Sequence, residues 1–328
     1  MTKGLVTKKR IGVLMGGQSS ERDISIRSGL AIYQSLQELG YNSVLVDVGK
    51  DIVGLLKKEK VKFAFLALHG GTGENGAIQG LLEVLGIPFS GSGVLASALA
   101  MDKEASKKIF SFHGIPVAPF IALKKARGGK KKKMKDDQVN GEIDAAGVYV
   151  FPNFPRPSFD LPWVVKPAAE GSSIGVSIIK EESELNPCIE KTFSLGDRVI
   201  VEKFIKGKEI HVGIVGDRIL GEVEVRPSLE FYNYEAKYTS GLTEYIMPPE
   251  IDEATVASVR AMALKAHLSI GCTGISRVDF MLDKDNNPFI LEVNTLPGMT
   301  TTSLIPKIAK SAGLSFNDLI EEMVRVAI

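Results

Sequence analysis

Residues 289–300 read FILEVNTLPGMT. An apolar strand places a carboxylate, Glu292, and an amide, Asn294, on one face near its end, then stops at Pro297-Gly298. Just upstream, SRVDFML is separated from it by the turn-rich KDNN, the pattern of a hairpin with a longer loop. Pairing Asp283 with Pro288 and following the ladder sets Asp279 opposite Glu292 and Arg277 opposite Asn294. Side chains alternate along a strand, so Val278, Phe280 and Leu282 should share a core face with Phe289, Leu291 and Val293. The other face carries Arg277, Asp279, Glu292 and Asn294. Opposed carboxylates repel, so the pattern calls for a cation between them or a protonated acid. Asp, Glu and Asn offer hard oxygens, which suit magnesium rather than zinc. A plain surface hairpin with solvated acids is the alternative.

Two further stretches carry the same theme. WVVKPAAEGSSIGVSII (163–179) is a strand, Lys166, a small-residue loop and a second strand. Such a loop lets backbone N–H groups approach phosphate oxygens, and a strand-end lysine adds a charge. It has neither the Walker spacing nor G-x-G-x-x-G, and by itself it is equally a hairpin turn. VIVEKFIKGKEIHVGIVG (199–216) reads as two strands around a kink at Lys206-Gly207. Glu202, Lys203, Phe204 and Ile205 would suit an adenine slot, with backbone groups and a carboxylate reading the base edge, and Glu209 could hold ribose hydroxyls. Edge-strand surface charge explains the same residues without a ligand.

The N-terminal part alternates strand and helix. RIGVLMGG enters a glycine turn, a helix follows over about 21–39, and SVLVDV and KFAFLAL are further strands. That alternation predicts a parallel sheet with ligand loops at its C-terminal edge. A boundary is expected near residue 102, giving segments 1–102, 103–205 and 206–328. LKKARGGKKKKMKDDQVNGEID (123–144) has a lysine run, glycines and almost no large apolar residues, and proline punctuation follows. A solvated insertion is therefore expected from about Lys124 to Ser158, with a nucleic-acid or membrane patch as the alternative.

Composition narrows the class. Forty Lys+Arg against 39 Asp+Glu give a net charge of +1, with no general pull toward nucleic acid or membrane. Cys188 and Cys272 fit no metal or redox spacing, as expected of reduced thiols. No apolar run reaches spanning length and the run at Ile11–Met15 is too short for a signal peptide, so a cytoplasmic protein is expected.

MGGQSSERDIS, HGGTGENGAIQG, SGSGVLASALAMDK, KPAAEGSSIGVS, YEAKY, GCTGISRVDF and LEVNTLPGMT occur in this order. With them the chain resembles the ATP-grasp ligases, and within these the D-alanine–D-alanine ligase family, from about Ile11 to the C-terminus apart from the insertion. The resemblance implies an N-terminal parallel α/β domain followed by a two-part ATP-grasp α+β fold. It also implies ATP-dependent ligation of two D-alanine molecules through an acyl phosphate, in a cytoplasmic homodimer serving peptidoglycan synthesis. Two magnesium ions, with manganese as substitute, would sit on Asp279, Glu292 and Asn294.

The same resemblance assigns roles by position. Glu21 and His69 line the first D-alanine pocket, and Ser172 with Glu21 and Tyr238 orients that substrate. ATP falls to Lys103, Lys166, Glu170, Ser172, Ser173, Glu202, Lys203, Phe204, Ile205, Glu209 and the loop residue Lys237. Arg277 and the Gly298 N–H resemble the oxyanion stabilisers. Ser303 and Leu304 match the seat of the second carboxylate. Glu21 could instead be a first-turn acid behind a Ser20 cap, and Ser303 an ordinary helix cap. A D-alanine–D-lactate ligase is the rival activity, against which Tyr238 speaks; another carboxylate–amine ligase of this superfamily and a nucleotide-binding regulator without turnover are the others.

Overall fold

The computed structural model describes residues 9–125, 142–143, 149–150, 156–228, 232, 239 and 241–327. Its first sheet is parallel, in the order β2-β1-β3, from β1 (Ile11–Gly16), β2 (Ser43–Val48) and β3 (Phe63–Leu66). The apolar run of β1 is buried on both faces. Ile11 and Val13 point into one cluster with Ile32 and Leu36 of α1 (Arg22–Glu38). Leu14 points into another, with Leu56 of α2 (Ile52–Lys58) and Leu82 of α3 (Ala77–Val84). β1 must end in glycine: Gly16 has φ +80, and a Cβ there would lie 2.1 Å from Asp47 Oδ1.

Helices α4 (Val94–Met101) and α5 (Lys103–Phe112) follow, meeting at Asp102. The Asp102 carboxylate accepts from Glu104 N and Ala105 N, both at 3.1 Å, and caps α5.

The second sheet is antiparallel, in the order β4-β9-β7-β8. It is built from β4 (Phe120–Lys124), β7 (Trp163–Pro167), β8 (Ser177–Ile179) and β9 (Arg198–Lys203), with β5 (Glu142–Ile143) and β6 (Tyr149–Val150) as a separate ribbon. Trp163, Val165, Val199 and Val201 close its core with Leu185 and Ile189 of α6 (Leu185–Thr192). Lys124 pairs with Arg198 inside this sheet, so the expected insertion begins after it. Most of the remaining insertion lies outside the described residues.

The third sheet, in the order β12-β11-β10-β13-β14, is antiparallel. Its strands are β10 (Lys208–Val215), β11 (Arg218–Pro227), β12 (Thr243–Ile246), β13 (Ile275–Leu282) and β14 (Pro288–Asn294). Helix α7 (Glu253–Ser269) covers one face, and α8 (Leu304–Ser311) packs on the other, against which α9 (Phe316–Val326) also lies. The kink between β9 and β10 needs Gly207, where a Cβ would meet the Leu282 carbonyl oxygen at 1.7 Å.

The β13–β14 hairpin differs from expectation at its turn. Leu282, not Asp283, pairs with Pro288, and Phe280 pairs with Ile290. The register then shifts, leaving Leu291 as the extra residue before Glu292 pairs with Asp279 and Asn294 with Arg277. Ile290 therefore enters the core with Val278, Phe280, Leu282 and Val293, whereas Phe289 and Leu291 do not. The bulge keeps the acids opposed and changes which apolar residues are buried.

Candidate active site

Two adjoining clefts lie among these sheets. The larger, roughly 710 Å³, is open between the second and third sheets. Phe204, Ile205 and Leu291 give it apolar walls, and Lys166, Glu209 and Asp279 bring charge. Glu170, Ser173, Glu202 and Lys203 also line it. The smaller, roughly 100 Å³, is polar and bordered by Glu21, His69, Ser172, Arg277, Asn294 and Gly298. Lys103 and Glu292 line both.

The small cleft draws on distant parts of the chain. Glu21 is itself the N-cap residue of α1, so the alternative of a first-turn acid behind a Ser20 cap does not hold. Its side chain caps nothing and instead accepts from Ser172 Oγ. Ser172 and Ser173 hold positive φ, +49 and +57, in the loop after β7, and Ser173 Oγ donates to the Tyr232 carbonyl at 3.0 Å. His69 Nε2 meets Ser28 Oγ at 3.1 Å, and Ser28 Oγ in turn accepts from Met299 N at 3.2 Å. The Pro297-Gly298 turn is thereby tied to the N-terminal sheet.

A model of the family described as D-ala D-ala ligase C-terminus matches residues 109–325, and one described as D-ala D-ala ligase N-terminus matches residues 51–92. The chain belongs to the D-alanine–D-alanine ligase family. It is 44% identical to a D-alanine–D-alanine ligase of Trichlorobacter lovleyi, over 98% of this chain and 96% of that one. A Bacillus anthracis D-alanine–D-alanine ligase solved in complex with ATP is 34% identical, with TM-score 0.79 and 97% of each chain covered. VanG D-Ala:D-Ser ligase of Enterococcus faecalis superposes with TM-score 0.80 at 26% identity, covering 98% of this chain and 99% of that one.

With this D-alanine–D-alanine ligase family fold in place, the charges of the site can be followed. Asp279 is almost wholly buried. Its Oδ1 accepts from Arg277 Nε and its Oδ2 from Arg277 Nη2, both at 2.8 Å, while His211 Nδ1 lies 2.8 Å from Oδ1. Burial pushes the Asp279 carboxyl up, but Arg277 and His211 outweigh it and hold it well below the usual range. His211 Nε2 also faces Glu209 Oε1 at 2.8 Å. Burial disfavours its charged form, yet the two acids raise its pKa. Glu292 Oε2 pairs with Lys103 Nζ at 3.1 Å, and that ammonium also donates to the Glu170 carbonyl at 2.7 Å. The opposed acids are thus compensated by protein cations, a third solution beside the bound cation or protonated acid expected from sequence.

Glu202 lines the large cleft and is also paired with two lysines. Its Oε1 lies 2.5 Å from Lys166 Nζ and its Oε2 2.8 Å from Lys107 Nζ. Burial pushes this carboxyl up, but the two ammonium groups outweigh it and bring the pKa down to about 2. Each oxygen thus faces one ammonium group. Burial lowers the pKa of Lys166, against the pull of Glu202.

Ser303 and Leu304 do not line the small cleft. Ser303 stands at the N-cap of α8 and its Oγ accepts from Thr300 N at 3.1 Å. The Leu304 side chain is in the core with Ile305 and Ile308, which leaves its backbone as the part that could meet a ligand. Lys237 and Tyr238 lie outside the described residues. Sequence reading missed Lys107 and His211. Lys107 follows Lys103 by one helical turn, and His211 follows Glu209 by the two-residue period of a strand face; both spacings were signals.

Proposed function

We propose that the two clefts divide the family's reaction between them, the larger holding ATP and the smaller the D-alanine reactants. That reaction joins two D-alanine molecules, converts ATP to ADP and phosphate, and serves peptidoglycan synthesis. The observation that carries the division is the shared border: Lys103 and Glu292 face both clefts, where the γ-phosphate must meet a substrate carboxylate.

A carboxylate is a poor electrophile, so it must first be activated. Glu21, which accepts a hydrogen bond from Ser172 and lines the small cleft with His69, would hold the ammonium group of the first D-alanine. One oxygen of the first D-alanine's carboxylate attacks the γ-phosphorus, and ADP leaves. Lys103 and Lys166 offset charge on the transferring group. The free amine of the second D-alanine then attacks the acyl phosphate carbonyl. Arg277 and the Gly298 N–H stabilise the tetrahedral oxyanion, phosphate departs with its bonding electrons, and the proton lost by the amine passes to the departing phosphate. Loop residues Ser172, Ser173 and Tyr238 would keep water from the acyl phosphate.

The donor set Asp279, Glu292 and Asn294 is all hard oxygen and borders the clefts, which fits magnesium. Among the described residues no group of three or more His, Cys, Asp and Glu could hold a metal ion, so further ligands would come from phosphate and water. Bound magnesium would neutralise phosphate charge. No helix among the described residues is long and apolar enough to cross a membrane. We take the chain as cytoplasmic and homodimeric, with domain limits near 102 and 205 and D-alanine as the second substrate.

The test uses D-alanine with 18O in its carboxylate. One labelled oxygen should appear in the released phosphate, because the carboxylate oxygen that attacks phosphorus stays on it. Phosphate free of label would refute the acyl phosphate.

A further inference from the structure

Lys107 is an unusual lysine. It is 0% exposed and ranks with Phe110 and Phe280 among the largest wholly buried side chains. It sits on α5, and its Nζ lies 2.8 Å from Glu202 Oε2 and 5.6 Å from the centre of the Phe120 ring. It does not border the large cleft, whereas Glu202 and Lys166 do. Burying an ammonium group costs several kcal/mol, and apolar residues often replace buried ion pairs without loss of stability. Stability alone is a weak reason for this residue.

Charge counting supplies a better one. Lys103 is balanced by Glu292 at 3.1 Å. If Lys166 and Glu202 were alone, their charges would sum to zero, and the ammonium facing the cleft would be spent on its own carboxylate. Lys107 brings the sum of the three to +1. It also occupies Oε2, so Glu202 meets Lys166 through Oε1 only.

We propose that Lys107 is a positioning residue that balances Glu202 from behind and leaves the charge of Lys166 available to the ATP phosphates. The proposal rests on the reading of Lys166 as a phosphate lysine. It predicts a charge rule rather than a packing rule. Removing Lys107 weakens ATP binding, and removing the carboxylate as well restores it, since Lys166 then stands alone at +1.

The experiment measures the Kd of ATP with magnesium by calorimetry and the KM of D-alanine, for Lys107→Met, Glu202→Gln/Lys107→Met and Lys166→Met. Lys107→Met should weaken ATP binding by about tenfold or more, the range of one charge-assisted contact, with the KM of D-alanine unchanged. The double variant should regain most of that loss. Unchanged ATP binding in Lys107→Met overturns the proposal, as does a loss that the double variant fails to regain. If Lys107→Met does not fold, the double variant is read alone: ATP binding weakened by less than about tenfold supports the proposal, since Glu202→Gln also alters a residue of the adenine segment, and a greater loss overturns it. Lys166→Met separates the two claims. ATP binding that survives it removes the phosphate role of Lys166 and the proposal with it; binding that it weakens while Lys107→Met does not removes the proposal alone.

Discussion

Ser172 Oγ donates a hydrogen bond to Glu21 Oε1, joining the N-terminal sheet to the glycine-rich loop after β7 across 151 residues of chain. Glu21 gains a fixed orientation from it, and the loop gains an anchor for two residues with positive φ. A substrate ammonium group held by Glu21 would feel both effects.

Ser172→Ala should therefore raise the KM of D-alanine by about tenfold, the cost of one hydrogen bond to a charged group. The KM of ATP should move by less than about threefold, because Lys103, Lys166 and the apolar walls of the large cleft remain. Steady-state kinetics with each substrate varied decides it. An equal loss for both substrates would mean that the serine shapes the nucleotide loop instead.

Asp102 sits where α4 ends and α5 begins, capping the helix that carries Lys103 and pairing with Arg198 Nη2 at 2.7 Å. Asp102→Ala should cost roughly 1–2 kcal/mol of stability and raise the KM of ATP, since the helix end positions Lys103. Urea unfolding and nucleotide kinetics check the two parts. Unchanged stability would show that Arg198 and packing hold the helix start without the cap.

His267 is fully buried on α7, with Nδ1 2.7 Å from Ser276 Oγ. Burial lowers its pKa from 6.5 to about 4. The unfolded chain then takes up this proton first as pH falls. Its contribution is complete above pH 6.5 and is lost as pH drops through about 4. The loss should be on the order of 1–3 kcal/mol. Melting temperatures between pH 8 and pH 4.5 should fall more steeply for the wild type than for His267→Gln. Parallel curves would remove His267 as the cause.

Much of this site was legible in the sequence because its features are local. A glycine after β1, the Lys166 strand end and the opposed acids of β13 and β14 each announce themselves within a few residues. The hairpin turn was misread because strand periodicity has no way to show a bulge, and Leu291 is the residue that breaks the count. Lys107 was missed because a lysine on a helix ordinarily faces water. Only the arrival of Glu202 from β9 makes its burial tolerable. His211 was missed for a related reason: its partners Glu209 and Asp279 come from two strands, and a lone histidine in β10 reads as a core residue.

Glu292 pairs with Lys103, so its removal changes the balance at the shared border of the clefts. Glu292→Gln should lower turnover on the order of 10²-fold or more, as expected for a group supporting charge on transferred phosphate. Stability should not rise on removing one of the opposed acids, because Asp279 and Glu292 already have separate cations. Thermal melting without ligands should shift by less than about 1 kcal/mol equivalent, the range of a partly exposed ion pair. Unimpaired turnover in Glu292→Gln would refute the phosphate role.

The most direct test of the account follows ADP and D-alanyl-D-alanine together while magnesium is titrated against fixed ATP and D-alanine. The account predicts no ADP without D-alanine, no turnover without a divalent cation, and one dipeptide for each ADP at saturating magnesium. ADP release that ignores D-alanine, or that yields no dipeptide, would contradict it.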